Sequence, residues 1–121
     1  MPRINVLFVC GRNQKRSPTA HKLFQSDQRL SVRSGGTSDS SKRTIQQSDL
    51  SWADLILVME PKYESRIKSK FSDFGAFPPF HSLDIPDDYE FMSEDLIEIL
   101  VPAVEDAIDA YQTEQDAAAN P

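Results

Sequence analysis

A chain of 121 residues with 39% hydrophobic and 26% charged side chains has room for one domain over 1–121 and one core, burying roughly two thirds of its unfolded surface. That composition excludes the disordered and membrane classes, and no apolar run is long enough to span a bilayer. A net charge of −6 argues against a nucleic-acid partner, because an acidic surface repels a polyphosphate chain unless a continuous basic face offsets it.

INVLFV, residues 4–9, is a continuous β-branched and aromatic run, the signature of a central strand covered on both faces. It ends at Cys10, the only cysteine, and the loop that follows holds Arg12, Lys15 and Arg16. Ser17 and Pro18 read as an N-cap with proline at the first helical position, and Ala20, Leu23 and Phe24 continue at helical spacing, predicting a helix over 18–27. LSVR at 30–33 predicts a second strand, SGGT at 34–37 a turn, 38–43 a loop and 44–52 a short helix. ADLILVM at 53–59 repeats the buried-strand pattern, and 61–71 reads as a basic surface helix starting on Pro61. One glycine and two prolines exclude a long helix in FSDFGAFPPFH at 71–81, leaving 80–85 for a fourth strand. Leu96, Ile97, Leu100, Val101, Val104, Ile108 and Tyr111 mark a last helical region that Pro102 is expected to kink or split. The tail over 113–121 has little to bury and is expected to fray. Strands alternating with helices indicate an α/β fold with a parallel sheet and right-handed crossovers.

The short apolar start lacks the cationic segment and cleavage site of a signal peptide, so the expected location is cytoplasmic. One cysteine cannot form an intramolecular disulfide, and a reducing compartment keeps Cys10 as a thiol. Residues 1–50 carry nine Lys and Arg against three Asp and Glu, whereas residues 51–121 carry four against sixteen. A basic half within an acidic chain points to a local anion site.

A lone cysteine is most often a packed core thiol, and a core thiol needs no cations around it. A nucleophile does. In a parallel α/β sheet, ligands bind beyond the carboxyl ends of the strands, where Cys10 is expected. The amides of Gly11, Arg12, Asn13, Gln14, Lys15 and Arg16 lead into a helix N-terminus, and such a loop can converge its N–H groups on an anion. Arg16 adds a planar fork able to bind two oxygens of one phosphoryl group. Helix N-termini and nearby cations favour thiolate over thiol, which would leave Cys10 poised beside a bound phosphate.

Cys10-x5-Arg16-Ser17 after an apolar strand, with Asn13-x-x-Arg16-Ser17-Pro18 inside it, resembles the phosphate loop of the low-molecular-weight protein tyrosine phosphatases. Arg33-Ser34-Gly35-Gly36-Thr37 resembles the Ser-Ala-Gly-Thr turn of that family, residues 53–59 its third strand, and Asp84-Ile85-Pro86-Asp87-Asp88-Tyr89 its late Asp-Pro-Tyr motif. The resemblance implies a three-layer αβα fold with a four-stranded parallel sheet, flanking helices and the phosphate loop after strand 1. It implies that Cys10 attacks phosphorus, Arg16 and the loop amides of residues 11–17 hold the oxygens, and Ser17 hydrogen-bonds the sulfur. Asn13 would fix the loop, a role suited to asparagine because it tolerates left-handed backbone angles. Ser34 would brace the loop from the neighbouring strand, Asp87 would serve as general acid and then base, and Tyr89 would wall the entrance.

The chain also departs from that family. The segment between the Ser34 turn and the Asp54 strand is short, and residues 38–47 contain no aromatic side chain to stack on a phosphotyrosine ring. Lys15 stands where the family has a second loop cysteine, so oxidation of Cys10 would lead to a sulfenic acid rather than a protective disulfide. Asp88 replaces a proline and competes with Asp87 for the acid role, with Asp87 favoured by alignment. Arg12 and Lys15 are either substrate contacts or solvated charges. His21 and His81 read as structural, and no cluster is spaced for a metal. Phe71, Phe74, Phe77 and Phe80 read as core more readily than as a ring-binding wall.

The expected function is a phosphomonoesterase of the phosphotyrosine or aryl-phosphate type, working through a phosphocysteine on Cys10, with neither metal nor cofactor and no membrane partner. Its substrates would be a phosphorylated protein or a small aryl phosphate, with inorganic phosphate and other oxyanions as ligands. One alternative is a module on the same fold that captures phosphate or a phosphoprotein without turnover. An arsenate reductase, as that scaffold performs the reaction, passes a disulfide along two further cysteines, and this chain has neither.

Overall fold

The structure is a computed structural model and describes residues 3–119. Its elements in chain order are β1 (Ile4–Cys10), α1 (Arg16–Phe24), β2 (Leu30–Gly36), α2 (Gln47–Trp52), β3 (Leu55–Val58), α3 (Pro61–Lys70), β4 (Phe80–Ser82) and α4 (Glu94–Ala119). All strand pairs are parallel, in the order β2-β1-β3-β4. Parallel neighbours need crossovers, and right-handed ones put α1 on one face with α4, which it touches, and α2 and α3 on the other. This is the expected three-layer αβα arrangement. Val6, Leu7, Phe8 and Val9 of β1 and Ile56, Leu57 and Val58 of β3 have no exposed surface, which is why these runs carry no polar alternation.

The connection out of β1 runs to β2 on one side, while β3 lies on the other. Such a reversal leaves a crevice at the carboxyl end of the strand where it occurs. Cys10 is the last residue of that strand. Local sequence thus places the thiol, and topology opens the space above it.

Several boundaries differ from those expected. Helix α1 starts at Arg16 and ends at Phe24, with Lys15 at the N-cap position and no side-chain cap. Ser17 is not the cap because its hydroxyl is engaged by Cys10 and Asn13. Residues 34–36 are not a turn: β2 continues to Gly36, which lies opposite Cys10 in the ladder. The glycine there answers a close approach, since a Cβ on Gly36 would lie 2.0 Å from Ser41 Oγ and 2.8 Å from the Gly11 carbonyl oxygen. Helix α2 begins at Gln47 instead of residue 44, where Gln46 and Asp49 close a reciprocal capping box. Strands β3 and β4 are shorter than their apolar runs suggested, and the basic helix α3 ends at Lys70, one residue before its expected end.

The last helix is not split. It runs through Pro102 because Leu96, Leu100, Val104 and Ile108 are fully buried across it. Four such side chains contribute roughly 1.5–3 kcal/mol each, against about 3 kcal/mol for a helix-interior proline. Pro102 itself is exposed, so water can serve the carbonyl it leaves without a donor. Residues 113–119, expected to fray, continue the same helix although exposed. Once a helix is nucleated, each further good helix former adds one bond. The last two residues of the expected tail, 120 and 121, lie outside the described residues.

No helix among the described residues is long and apolar enough to cross a membrane.

Candidate active site

The loop after β1 folds around a three-residue chain of hydrogen bonds. Asn13 Nδ2 donates to Ser17 Oγ at 2.9 Å, and Ser17 Oγ lies 2.9 Å from Cys10 Sγ. All three side chains are buried. Asn13 takes one lone pair of the Ser17 hydroxyl, whose proton and second lone pair remain, so the hydroxyl can accept from a Cys10 thiol or donate to a thiolate. Asn13 takes φ 53°, in the left-handed region that asparagine tolerates.

The loop's carbonyls are tied outward. Thr37 N–H donates to the Cys10 carbonyl at 3.1 Å, Ser38 N–H to Gly11 at 2.9 Å and Lys42 N–H to Arg12 at 3.1 Å, while Ser41 Oγ donates to Gly11 at 3.1 Å. In a trans peptide the N–H points opposite the C=O. Anchoring these carbonyls to residues 37–42 therefore turns the N–H groups of Gly11, Arg12 and Asn13 the other way. The N–H groups of residues 11–15 have no acceptor among the described residues. Consecutive unsatisfied amides leading into a helix N-terminus form a concave donor site suited to an oxyanion.

Arg16 closes the site from α1 and is 2% exposed. Its Nη1 donates to Glu60 Oε2 and to the Ile85 carbonyl, each at 2.7 Å, and its Nη2 donates to Tyr63 Oη at 2.7 Å. Guanidinium has five N–H donors. Three are committed, so Nε–H and one Nη2–H remain as a fork. Burial works against the Arg16 charge, but Glu60, Tyr63 and Asp87 more than offset it and raise its pKa. Burial likewise pushes Glu60 up, yet Arg16, Tyr63 and Lys62 hold it below the ordinary glutamate range. Burial, first of all, raises the Tyr63 pKa above the ordinary tyrosine value.

These groups share a cleft of about 490 Å³ lined by Cys10, Gly11, Arg12, Gln14, Lys15, Arg16, Ser38, Tyr63, Arg66 and Asp87. Asp87 is exposed, with Oδ1 3.7 Å from Arg16 Nε. Asp88 is also exposed but does not line the cleft. Lys15 pairs with Glu90 at 3.2 Å.

Two residues sit elsewhere than expected. Ser34 Oγ pairs with His21 Nδ1 at 3.2 Å rather than with the loop, and residues 37–42 supply the bracing instead. Tyr89 is half-buried against the core and does not line the cleft; the tyrosine that does is Tyr63. Phe74, Phe77 and Phe80 pack on one another, with centroids 5.4 Å and 6.0 Å apart, and on the core. Among the described residues no group of three or more His, Cys, Asp or Glu side chains could hold a metal ion.

No family model matches the sequence, and no curated protein matches it. Solved structures do. The chain is similar to the YwlE arginine phosphatase from Geobacillus stearothermophilus, with 18% identity and a TM-score of 0.63 over 93% of this chain and 95% of that one. Wzb of Vibrio vulnificus, in complex with benzylphosphonate, is 20% identical with a TM-score of 0.64, covering 93% and 99%. SP-PTP, the low molecular weight protein tyrosine phosphatase from Streptococcus pyogenes, is 18% identical with a TM-score of 0.65, covering 91% and 92%. The chain has the low-molecular-weight tyrosine phosphatase fold. On this phosphatase fold the Cys10 loop occupies the turn between β1 and α1.

Ser38, Tyr63 and Arg66 line the cleft and Glu60 holds Arg16, yet sequence reasoning passed over them. The available signal was position: Glu60 directly follows a buried strand, and strand carboxyl ends are where ligands gather. Tyr63 lies one helical turn further on, and a Cβ on Gly11 would come within 3.2 Å of its hydroxyl.

Proposed function

We propose that this chain is a phosphomonoesterase of the phosphotyrosine or aryl-phosphate type, acting through a phosphocysteine on Cys10. The observation that carries the reading is that Cys10, in contact with Ser17, lines one cleft together with Arg16 and Asp87. The loop amides and the Arg16 fork hold the phosphoryl oxygens, and the thiolate attacks phosphorus in line. An S–P bond forms, the P–O bond to the leaving group breaks, and Asp87 passes its proton to the departing oxygen. Asp87, now a carboxylate, takes a proton from water; the water oxygen bonds to phosphorus, and the S–P electron pair returns to sulfur. The Ser17 hydroxyl stabilises that sulfur as it leaves. A phosphorylated protein or a small aryl phosphate fits this chemistry as substrate.

Wild type and Cys10→Ser are compared on an aryl phosphate, with acid trapping of the phosphoenzyme. Turnover with a trapped phosphocysteine, and a loss on the order of 10⁴ in kcat with Cys10→Ser, is the expected result. Binding of vanadate with no turnover between mildly acidic and neutral pH would instead mark a module that holds oxyanions without hydrolysis.

A further inference from the structure

The walls of the cleft above the phosphate loop are cationic, and two of their cations are unbalanced. The protein pairs most of its neighbouring charges: Lys15 with Glu90, Lys62 with Glu60, Lys68 with Glu64 and Lys70 with Asp39. Arg12 and Arg66 both line the cleft and are exposed, and neither has a carboxylate partner among the described residues. Arg66 rests on the Tyr63 ring, 5.5 Å from its centroid, so its aromatic contact leaves the charge uncompensated. The only acidic side chain in the lining is Asp87. Like charges held around one cleft raise its potential, and an anion entering it gains from all of them.

The same walls offer little to a ring. Tyr63 is 3% exposed, and none of the phenylalanines lines the cleft. We propose that the cleft selects phosphoryl ligands that carry a second anionic group, which Arg12 and Arg66 bind at its mouth. This rests on the reading of the Cys10 loop as the phosphoryl site. A cationic leaving group such as that of phosphoarginine meets Arg12 and Arg66 and is disfavoured. The second group is a carboxylate or a further phosphoryl, both of which an arginine fork accepts.

Calorimetric titration of the wild-type chain with three non-hydrolysable ligands tests this. They are para-carboxyphenylphosphonate, para-phenylenebisphosphonate and para-carbamoylphenylphosphonate, whose carbamoyl group is uncharged. About tenfold tighter binding of a ligand with a second anionic group than of the carbamoyl control is expected at low ionic strength, shrinking as salt screens the exposed pair. A gain confined to the bisphosphonate assigns the second group as phosphoryl; a gain for both assigns it as any anion. The Arg12→Gln, Arg66→Gln double variant should bring the ratio to near one. Equal affinities in the wild type, or a ratio that survives the double variant, overturn the inference. Absence of aryl phosphate hydrolysis overturns the enzymatic reading and leaves this comparison of affinities intact.

Discussion

Arg16 Nη1 lies 2.7 Å from Glu60 Oε2 across 44 residues of chain, and this pair holds the guanidinium whose remaining fork faces the cleft. Glu60→Ala removes a charge-assisted acceptor from a buried cation. Because Glu60 is 27% exposed, water recovers part of the loss, and the expected cost is about 1–2 kcal/mol. A lower denaturant midpoint with a raised KM for aryl phosphate is the expected pair of readouts. Unchanged KM would mean that Tyr63 and the Ile85 carbonyl position Arg16 unaided.

Ser17→Ala leaves Asn13 Nδ2 without its acceptor and Cys10 Sγ without its hydroxyl. A hydrogen bond to a charged group contributes about 1.5–3 kcal/mol, so kcat is expected to fall roughly 10- to 100-fold. If Ser17 serves the leaving sulfur, phosphoenzyme breakdown slows more than its formation. Single-turnover kinetics separate the two steps, and equal slowing of both would remove the leaving-group role.

Asp87 and Asp88 are neighbours in sequence but only Asp87 lines the cleft. Asp87→Asn is expected to lower kcat by about 10²- to 10⁴-fold, with a smaller loss for substrates whose leaving group needs no proton. Asp88→Asn is expected to change kcat less than about twofold. The reverse pattern would move the acid role to Asp88.

Asp49 is fully buried and pairs with Arg33 and Arg43. Burial pushes its carboxyl up, but Arg43, the Gln46 N–H and Arg33 outweigh that and hold it below the ordinary aspartate value. A folded pKa below the unfolded one gives stability that is complete above the unfolded value, near 3.8, and is lost as pH falls through the folded one. Thermal melts should therefore show a Tm that drops below about pH 4, with the drop reduced in Asp49→Asn. A drop of equal size in the variant would assign it to other carboxylates, Glu60 among them.

His21 is a second titrating contact, of opposite charge type. Burial first, and then the Arg43 charge, hold its pKa below the usual 6.5, so the folded state prefers the neutral ring that meets Ser34. That preference is complete above the unfolded pKa and fades as pH falls through the folded value. His21→Gln should flatten the dependence of Tm on pH between neutral and mildly acidic conditions, and an unaltered profile would remove the contact from the account.

Much of the site was legible because it is local. Cys10, Asn13, Arg16 and Ser17 lie within one strand end, one loop and one helix start, so their types and spacing could be read without knowing what packs around them. The buried strands were equally legible, since a strand covered on both faces has no polar alternation to obscure it. Their order, β2-β1-β3-β4, was not legible in the same way, because the fixed hand of the three crossovers sets the faces on which the helices lie and not which strands pair.

What the sequence could not settle by itself depended on contacts between distant residues. Glu60 and Tyr63 reach Arg16 only because β3 lies beside β1, and residues 37–42 clamp the loop carbonyls only because β2 extends to Gly36 opposite Cys10. Ser34 and Tyr89 were placed at the site by motif position, yet His21 and the core claim them. Pro102 does not split α4 and residues 34–36 do not turn for the same reason: local propensities are worth a kilocalorie or a few, and the burial gained in the assembled layers exceeds that. Local chemistry was thus decided by neighbouring residues, whereas the partners that hold Arg16 and aim the amides were decided by the fold, because only packing brings residues dozens of positions apart within hydrogen-bond range.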